Sequence, residues 1–77
     1  MKKPSVEITI PVYNEEKELE ENVTKLFSFC KKNLGSYDWH ITIADNASSD
    51  NTPIIASKLT EIDPKILYFR LEQWPIE

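Results

Sequence analysis

Three short strand-like runs of mainly apolar residues, at about 6–12, 38–44 and 66–71, are separated by stretches long enough to hold a helix. Nothing else in this chain of 77 residues restricts its fold so strongly. In the first run Val6, Ile8, Ile10 and Val12 alternate with Glu7 and Thr9, which is the period of a half-buried strand. Leu19, Val23, Leu26, Phe27, Cys30 and Leu34 then recur at helical steps and predict a helix over about 15–33. Ile54, Ile55, Leu59 and Ile62 predict a shorter helix with those four on its buried side. The order is therefore β-α-β-α-β. Crossovers of this length suit parallel pairing and a right-handed path, giving an α/β, Rossmann-like sheet of three parallel strands in the order 3-2-1.

The punctuation fits that order. Asn14 reads as a helix N-cap, with Glu15, Glu16 and Glu18 loading the first turn, and Lys31 and Lys32 suit the far end of the dipole. Gly35, the only glycine, stands where a left-handed cap belongs. Thr52-Pro53 reads as N-cap and first residue of the second helix, and Asp63-Pro64 as its end. Pro11 would delete a ladder donor, so it should end the strand or face an unpaired side.

Composition excludes several classes. A net charge of −4 and the lack of a Lys/Arg stripe argue against a nucleic-acid binder. One cysteine, Cys30, cannot form an internal disulfide, as befits a reducing compartment. No apolar run approaches the roughly 20 residues that span a bilayer. The opening Met-Lys-Lys-Pro leads into a strand instead of a signal-peptide core, so a cytoplasmic chain is the default expectation. Residues 1–77 are expected to form one small domain, which buries only about 60% of its unfolded surface.

The chemistry-bearing residues fall directly after the first two strands. Pro11-Val12-Tyr13-Asn14-Glu15 follows one, and Ala44-Asp45-Asn46-Ala47-Ser48-Ser49-Asp50-Asn51-Thr52 follows the other. If the strands are parallel neighbours, both segments open at the carboxyl edge of the sheet, where ligands of open α/β sheets bind. Asp45 either projects an acceptor-only carboxylate toward base N–H groups or ribose hydroxyls, or closes an Asx-turn. Tyr13 either stacks on a base or covers the end of the core, and Glu15 either accepts a ribose hydrogen or serves the helix dipole. Ser48 and Ser49 suit ligand contact and turn chemistry equally, whereas Asn51 and Thr52 suit capping.

Other residues read as structure. His40 is a half-buried strand residue without a companion at ligand spacing, and Cys30 belongs to the core. Trp39, Tyr68 and Phe69 read as packing residues, and Trp74 as partly exposed beyond the last strand. The sequence offers no metal cluster, no nucleophile elbow and no glycine-rich phosphate loop, and the last of these argues against a nicotinamide dinucleotide fold, whose first turn needs glycines.

Val6 to Glu15, followed about thirty residues later by Ile43 to Thr52, resembles the start of a family 2 glycosyltransferase. These are nucleotide-diphospho-sugar transferases of the GT-A fold, and the dolichyl-phosphate mannose synthase-like branch is the most similar. The resemblance covers about residues 5–73. It implies that Pro11, Tyr13 and Glu15 belong to the first nucleotide-contacting segment and that Asp45 binds the base. Ser48 and Asp50 match positions that shape the loop, and Ser48 is carried as a fifth nucleotide-binding candidate. Asn46 and Ala47 stand where the family commonly has Asp-Gly.

The resemblance also implies a UDP- or GDP-linked sugar as the partner and Mg²⁺ or Mn²⁺ in a complete homologue. The family's Asp-x-Asp metal motif and acceptor half are not found, and Trp74-Pro75-Ile76-Glu77 stands where a glycine-rich basic segment is expected. The chain thus reads as the N-terminal, nucleotide-recognition third of a transferase, inactive alone, with no catalytic or metal residue of its own. The alternative is a non-catalytic nucleotide-binding or interaction module. On either reading the first strand is expected to be open to self-association or to a complementing chain.

Overall fold

The computed structural model describes residues 2–72. The chain runs β1 (Ser5–Val12), α1 (Leu19–Asn33), β2 (Asp38–Asn46), α2 (Thr52–Thr60) and β3 (Ile66–Leu71). The three strands form one sheet in the order β1-β2-β3, with both pairs parallel. This is the 3-2-1 arrangement read from its other end. Trp74 and the residues after it lie outside the described residues.

Register decides what faces the core. Val6, Ile8, Ile10 and Val12 of β1 pair with Trp39, Ile41, Ile43 and Asp45 of β2. Ile41, Ile43 and Asp45 pair in turn with Ile66, Tyr68 and Arg70 of β3. Ladder partners share a face, so this inner face is apolar along most of its length and turns polar only at the carboxyl edge. Leu19 and Val23 of α1 and Ala56 and Leu59 of α2 pack on it together with Val12, Ile43 and Ile66. A second cluster joins Cys30 to Trp39 and Ile41, flanked by Leu26, Phe27 and Leu34. Each wholly buried aliphatic side chain contributes roughly 1.5–3 kcal/mol. Both helices therefore lie on one face, as two right-handed crossovers in the same direction require.

The other face is different. It presents Glu7, Thr9 and Pro11, then His40, Thr42, Ala44 and Asn46, then Leu67, Phe69 and Leu71. Among the described residues no element packs on it. Phe69, read from sequence as a packing residue, is 55% exposed there. Its position in the alternation explains the correction: Phe69 faces away from both helices.

The Asp38 N–H donates to the Pro4 carbonyl at 2.8 Å. In a parallel ladder, alternate residues bond to the same neighbour, so Ser5, Glu7, Thr9 and Pro11 turn their backbone groups toward the free edge of β1. Pro11 thus costs the sheet no hydrogen bond.

Several boundaries differ from the sequence reading. The first helix begins at Leu19 instead of about 15, and its N-cap is Glu18, without a side-chain cap. The N–H groups of Glu15 and Glu16 are bonded elsewhere, to Thr52 and Asp50, which holds them out of a first helical turn. Gly35 is not left-handed: α1 ends at Leu34, whose N–H donates to the Cys30 carbonyl. β2 continues to Asn46, and the cap of α2 is Asn51, with Thr52 as its first helical residue and Pro53 next. Ile54 and Ile62 are exposed, and Thr52, Ala56 and Leu59 form the buried side with Ile55 half-buried. The helix turns Ile54 outward, and it ends at Thr60, so Ile62 lies in the turn beyond it. Among the described residues no helix is long and apolar enough to cross a membrane.

Candidate functional site

The carboxyl edge of the sheet brings the two polar segments together. Val12 and Asp45 are ladder partners, so the segments that follow them start side by side, with Asn46 still paired to Leu71 of β3. From there the segments are laced into one surface. The Asn14 N–H donates to Ser48 Oγ at 2.8 Å, and Asn14 Nδ2 donates to Ser49 Oγ at 3.4 Å. Asn14 Oδ1 accepts the N–H groups of Ser49 at 2.8 Å and Asp50 at 3.2 Å. The Glu15 N–H donates to Thr52 Oγ1 at 2.9 Å and the Glu16 N–H to Asp50 Oδ2 at 3.3 Å. Glu16 Oε1 accepts the Asn51 N–H at 2.9 Å.

Two residues bend the backbone to make this possible. Asn14 has φ 49° and Ala47 has φ 59°. Asparagine tolerates the left-handed region, while alanine is strained there by about 1–2 kcal/mol. Asn14 is therefore a latch between segments and not the helix cap its position suggested. Ala47 occupies a conformation that favours glycine, the residue type the resemblance leads one to expect at that position.

Asp45 is the buried centre of the edge, with 0% of its surface exposed. Its Oδ1 accepts the Ser48 N–H at 3.0 Å, three residues on and so one beyond an Asx-turn, which caps the loop from within. Its Oδ2 accepts the Tyr68 hydroxyl at 2.7 Å and Arg70 Nη1 at 3.2 Å. Burial pushes the carboxyl up, but hydrogen bonds from Ser48 and Tyr68 and the Arg70 charge outweigh it and hold it below the ordinary aspartate value. Burial and the Asp45 bond raise Tyr68, keeping its hydroxyl a donor. Asp50 is also held low, because bonds from Thr52 and Glu16 overcome its desolvation. The edge thus carries fixed negative charge that is already partly committed to internal donors.

The five sequence candidates divide by exposure. Tyr13, 53% exposed, faces outward, with Pro11 exposed and Glu15 half-buried beside it. Asp45 and Ser48 are buried behind them. Tyr68 and Arg70 belong to the same network and were not singled out for chemistry from sequence. The signal was present: the inner face of β3 runs Ile66, Tyr68, Arg70, and parallel register sets its last, cationic member beside Asp45. Among the described residues no three carboxylate, imidazole or thiol groups gather as a metal ion requires. These residues do not by themselves fit a divalent cation, and no step is assigned to one.

The family model for glycosyl transferase family 2 matches residues 7–74, almost the whole chain, and the chain belongs to that family. No curated protein matches it.

Proposed function

We propose that this glycosyl transferase family 2 chain recognises the nucleotide of a nucleotide-diphospho-sugar at the carboxyl edge of its sheet, between residues 11–15 and 45–50. The observation that carries this reading is the lacing of residues 14–16 to residues 48–52 by seven hydrogen bonds, which joins the two segments into one surface. A loop pair ordered in advance lowers the entropic cost of holding a ligand.

The roles follow from exposure. The outward Tyr13 ring offers a stacking platform for the base, and base–aromatic stacking is worth about 1–3 kcal/mol. Glu15 offers an acceptor for a ribose hydroxyl, with Pro11 shaping the wall beneath. Asp45 and Ser48 serve the nucleotide from behind, by fixing the turn that presents the second loop. On this reading the chain supplies donor recognition within a GT-A-type enzyme and performs no sugar transfer by itself. UDP- and GDP-linked sugars are the donors to try.

Calorimetric titration with UDP, GDP and their sugar conjugates, with and without Mn²⁺, tests the reading. Saturable binding weakened about tenfold or more by Tyr13→Ala is the expected result. Failure of every nucleotide to bind would overturn it.

A second reading is favoured by one specific observation, the bare apolar half of the outer sheet face around Leu67 and Phe69. Parallel sheets are ordinarily covered on both faces. That reading is a non-catalytic interaction module that associates with itself or with a complementing chain.

A further inference from the structure

Val12, Asp45 and Arg70 lie in one row across the carboxyl edge of the three strands. The row is graded in exposure: the Asp45 side chain is wholly covered, whereas that of Arg70 is 29% exposed. Whatever approaches Asp45 from β3 meets Arg70 first.

The guanidinium is unusually well held for a partly exposed group. Its Nη1 donates to Asp45 Oδ2 at 3.2 Å and to the Ser48 carbonyl at 3.1 Å. Its Nε donates to Glu72 Oε2 at 3.0 Å. The Asp45 carboxylate and the Ser48 carbonyl thus hold Nη1, and the Glu72 carboxylate holds Nε on the opposite edge. Arginine has five N–H donors in a rigid plane. Among the described residues the two on Nη2 make no hydrogen bond, and the Tyr68 hydroxyl lies against the guanidinium.

From this geometry we infer that Arg70 is a ligand-binding residue of the edge, donating from Nη2 to an oxygen acceptor of the nucleotide, with Asp45 as its positioning residue. The inference rests on the nucleotide reading above and names a contact that reading does not contain. The acceptor is a phosphate oxygen or a base carbonyl. Either accepts an N–H from Nη2, and a phosphate oxygen gains in addition from the guanidinium charge. Asp45 then acts on the ligand through Arg70: its buried carboxylate fixes where the fork points, and Glu72 limits its rotation from the solvent side. A lysine at position 70 would keep the charge but lose the fork.

The test is titration of the full chain and its Arg70→Gln and Arg70→Lys variants with UDP, GDP, uridine, guanosine and inorganic pyrophosphate. Circular dichroism checks that each variant is folded, and arginine side-chain N–H resonances are followed by NMR. Both variants are expected to bind the nucleoside diphosphates at least tenfold more weakly, with Arg70→Lys recovering little. Loss confined to UDP, GDP and pyrophosphate assigns a phosphate oxygen, and loss extending to the nucleosides assigns a base carbonyl. Asp45→Asn is expected to broaden or shift the Arg70 resonances in the free protein and to weaken the same ligands, which a purely structural turn residue would not do selectively. Folded Arg70 variants that bind UDP and GDP as well as the parent does would overturn the inference and leave the nucleotide reading standing. A parent chain that binds pyrophosphate through Arg70 but no nucleotide would overturn the nucleotide reading and, with it, the nucleotide as the ligand of Arg70. A parent chain that binds none of the five would overturn both. If neither Arg70 variant folds, persistence of the parent's Arg70 resonances unshifted at saturating UDP overturns the inference, and their shift supports it.

Discussion

Thr52 Oγ1 accepts the Glu15 N–H at 2.9 Å, from a threonine that is itself wholly buried at the start of α2. One hydroxyl thus joins the first residue of a helix to the loop that follows a different strand. Thr52→Val keeps the shape and deletes the acceptor, leaving a partly buried donor without a partner. It is expected to cost about 1–3 kcal/mol of stability. The Glu15 amide should exchange with solvent faster in the variant, and Thr52→Ser should restore most of its protection. Urea unfolding and amide exchange measure the two effects, and a stability within a few tenths of a kcal/mol of the parent would contradict them.

Ala47→Gly is expected to stabilise the chain. The residue has φ 59°, where a Cβ is strained by about 1–2 kcal/mol. Glycine removes that strain but adds about 0.4–1 kcal/mol of unfolded-state entropy, so the net gain is roughly 0.5–1 kcal/mol. A rise of a few degrees in Tm is the expected readout for a chain this small. A fall would mean that the loop takes another conformation in solution.

Asp45 should shape the acid side of the stability curve. Its folded-state carboxyl is held below the ordinary value, although burial acts the other way. Stability from a depressed carboxyl is fully present above its unfolded pKa of about 4 and is lost as pH falls through the folded value. Asp45→Asn should therefore be less stable at neutral pH, by about 1–3 kcal/mol, and should lose less on acidification than the parent. Asp50, also held low, contributes with the same sign, so the acid limb flattens without vanishing. Denaturant melts at pH 7, 5, 4 and 3 decide the matter. Parallel curves for parent and variant would remove Asp45 from the linkage.

The β-α-β-α-β order and the meeting of the two polar segments were legible in sequence because both depend on periodicity and on parallel register, which local residues encode. The details inside the site were not. Asn14 has a sensible local role as a cap, but four bonds to residues 48–50 outweigh it. Only the proximity of the second loop reveals them. Asp45 left two readings open because burial is a tertiary property: the same residue would face solvent if β3 ended before Tyr68 and Arg70. Ile54 and Ile62 were misplaced because α2 is nine residues long and meets the sheet only over its middle. Phe69 was misassigned because a strand with apolar residues on both faces gives no sign of which face is covered.

That bare face leads to the last expectation. Leu67 and Phe69 are exposed on the outer face, next to half-buried Ala44 and Leu71, and the outer edge of β1 is free among the described residues. Contiguous apolar surface and unpaired strand edges both promote association, and they can be told apart. Phe69→Lys places a charge on the face without touching the core. Thr9→Pro removes a donor from the free edge, where proline is tolerated because that N–H does not enter the ladder with β2. The parent chain is expected to sediment as a concentration-dependent mixture in the micromolar range. If the face drives association, Phe69→Lys yields monomer and Thr9→Pro does not; if the edge drives it, the pattern reverses. The face is the expected driver, because Pro11 already breaks the donor row along the edge, whereas the polar residues of the outer face lie on β1 and β2 and leave Leu67 and Phe69 of β3 uncovered. A parent chain that stays a compact monomer throughout that range would count against both surfaces and against the interaction-module reading.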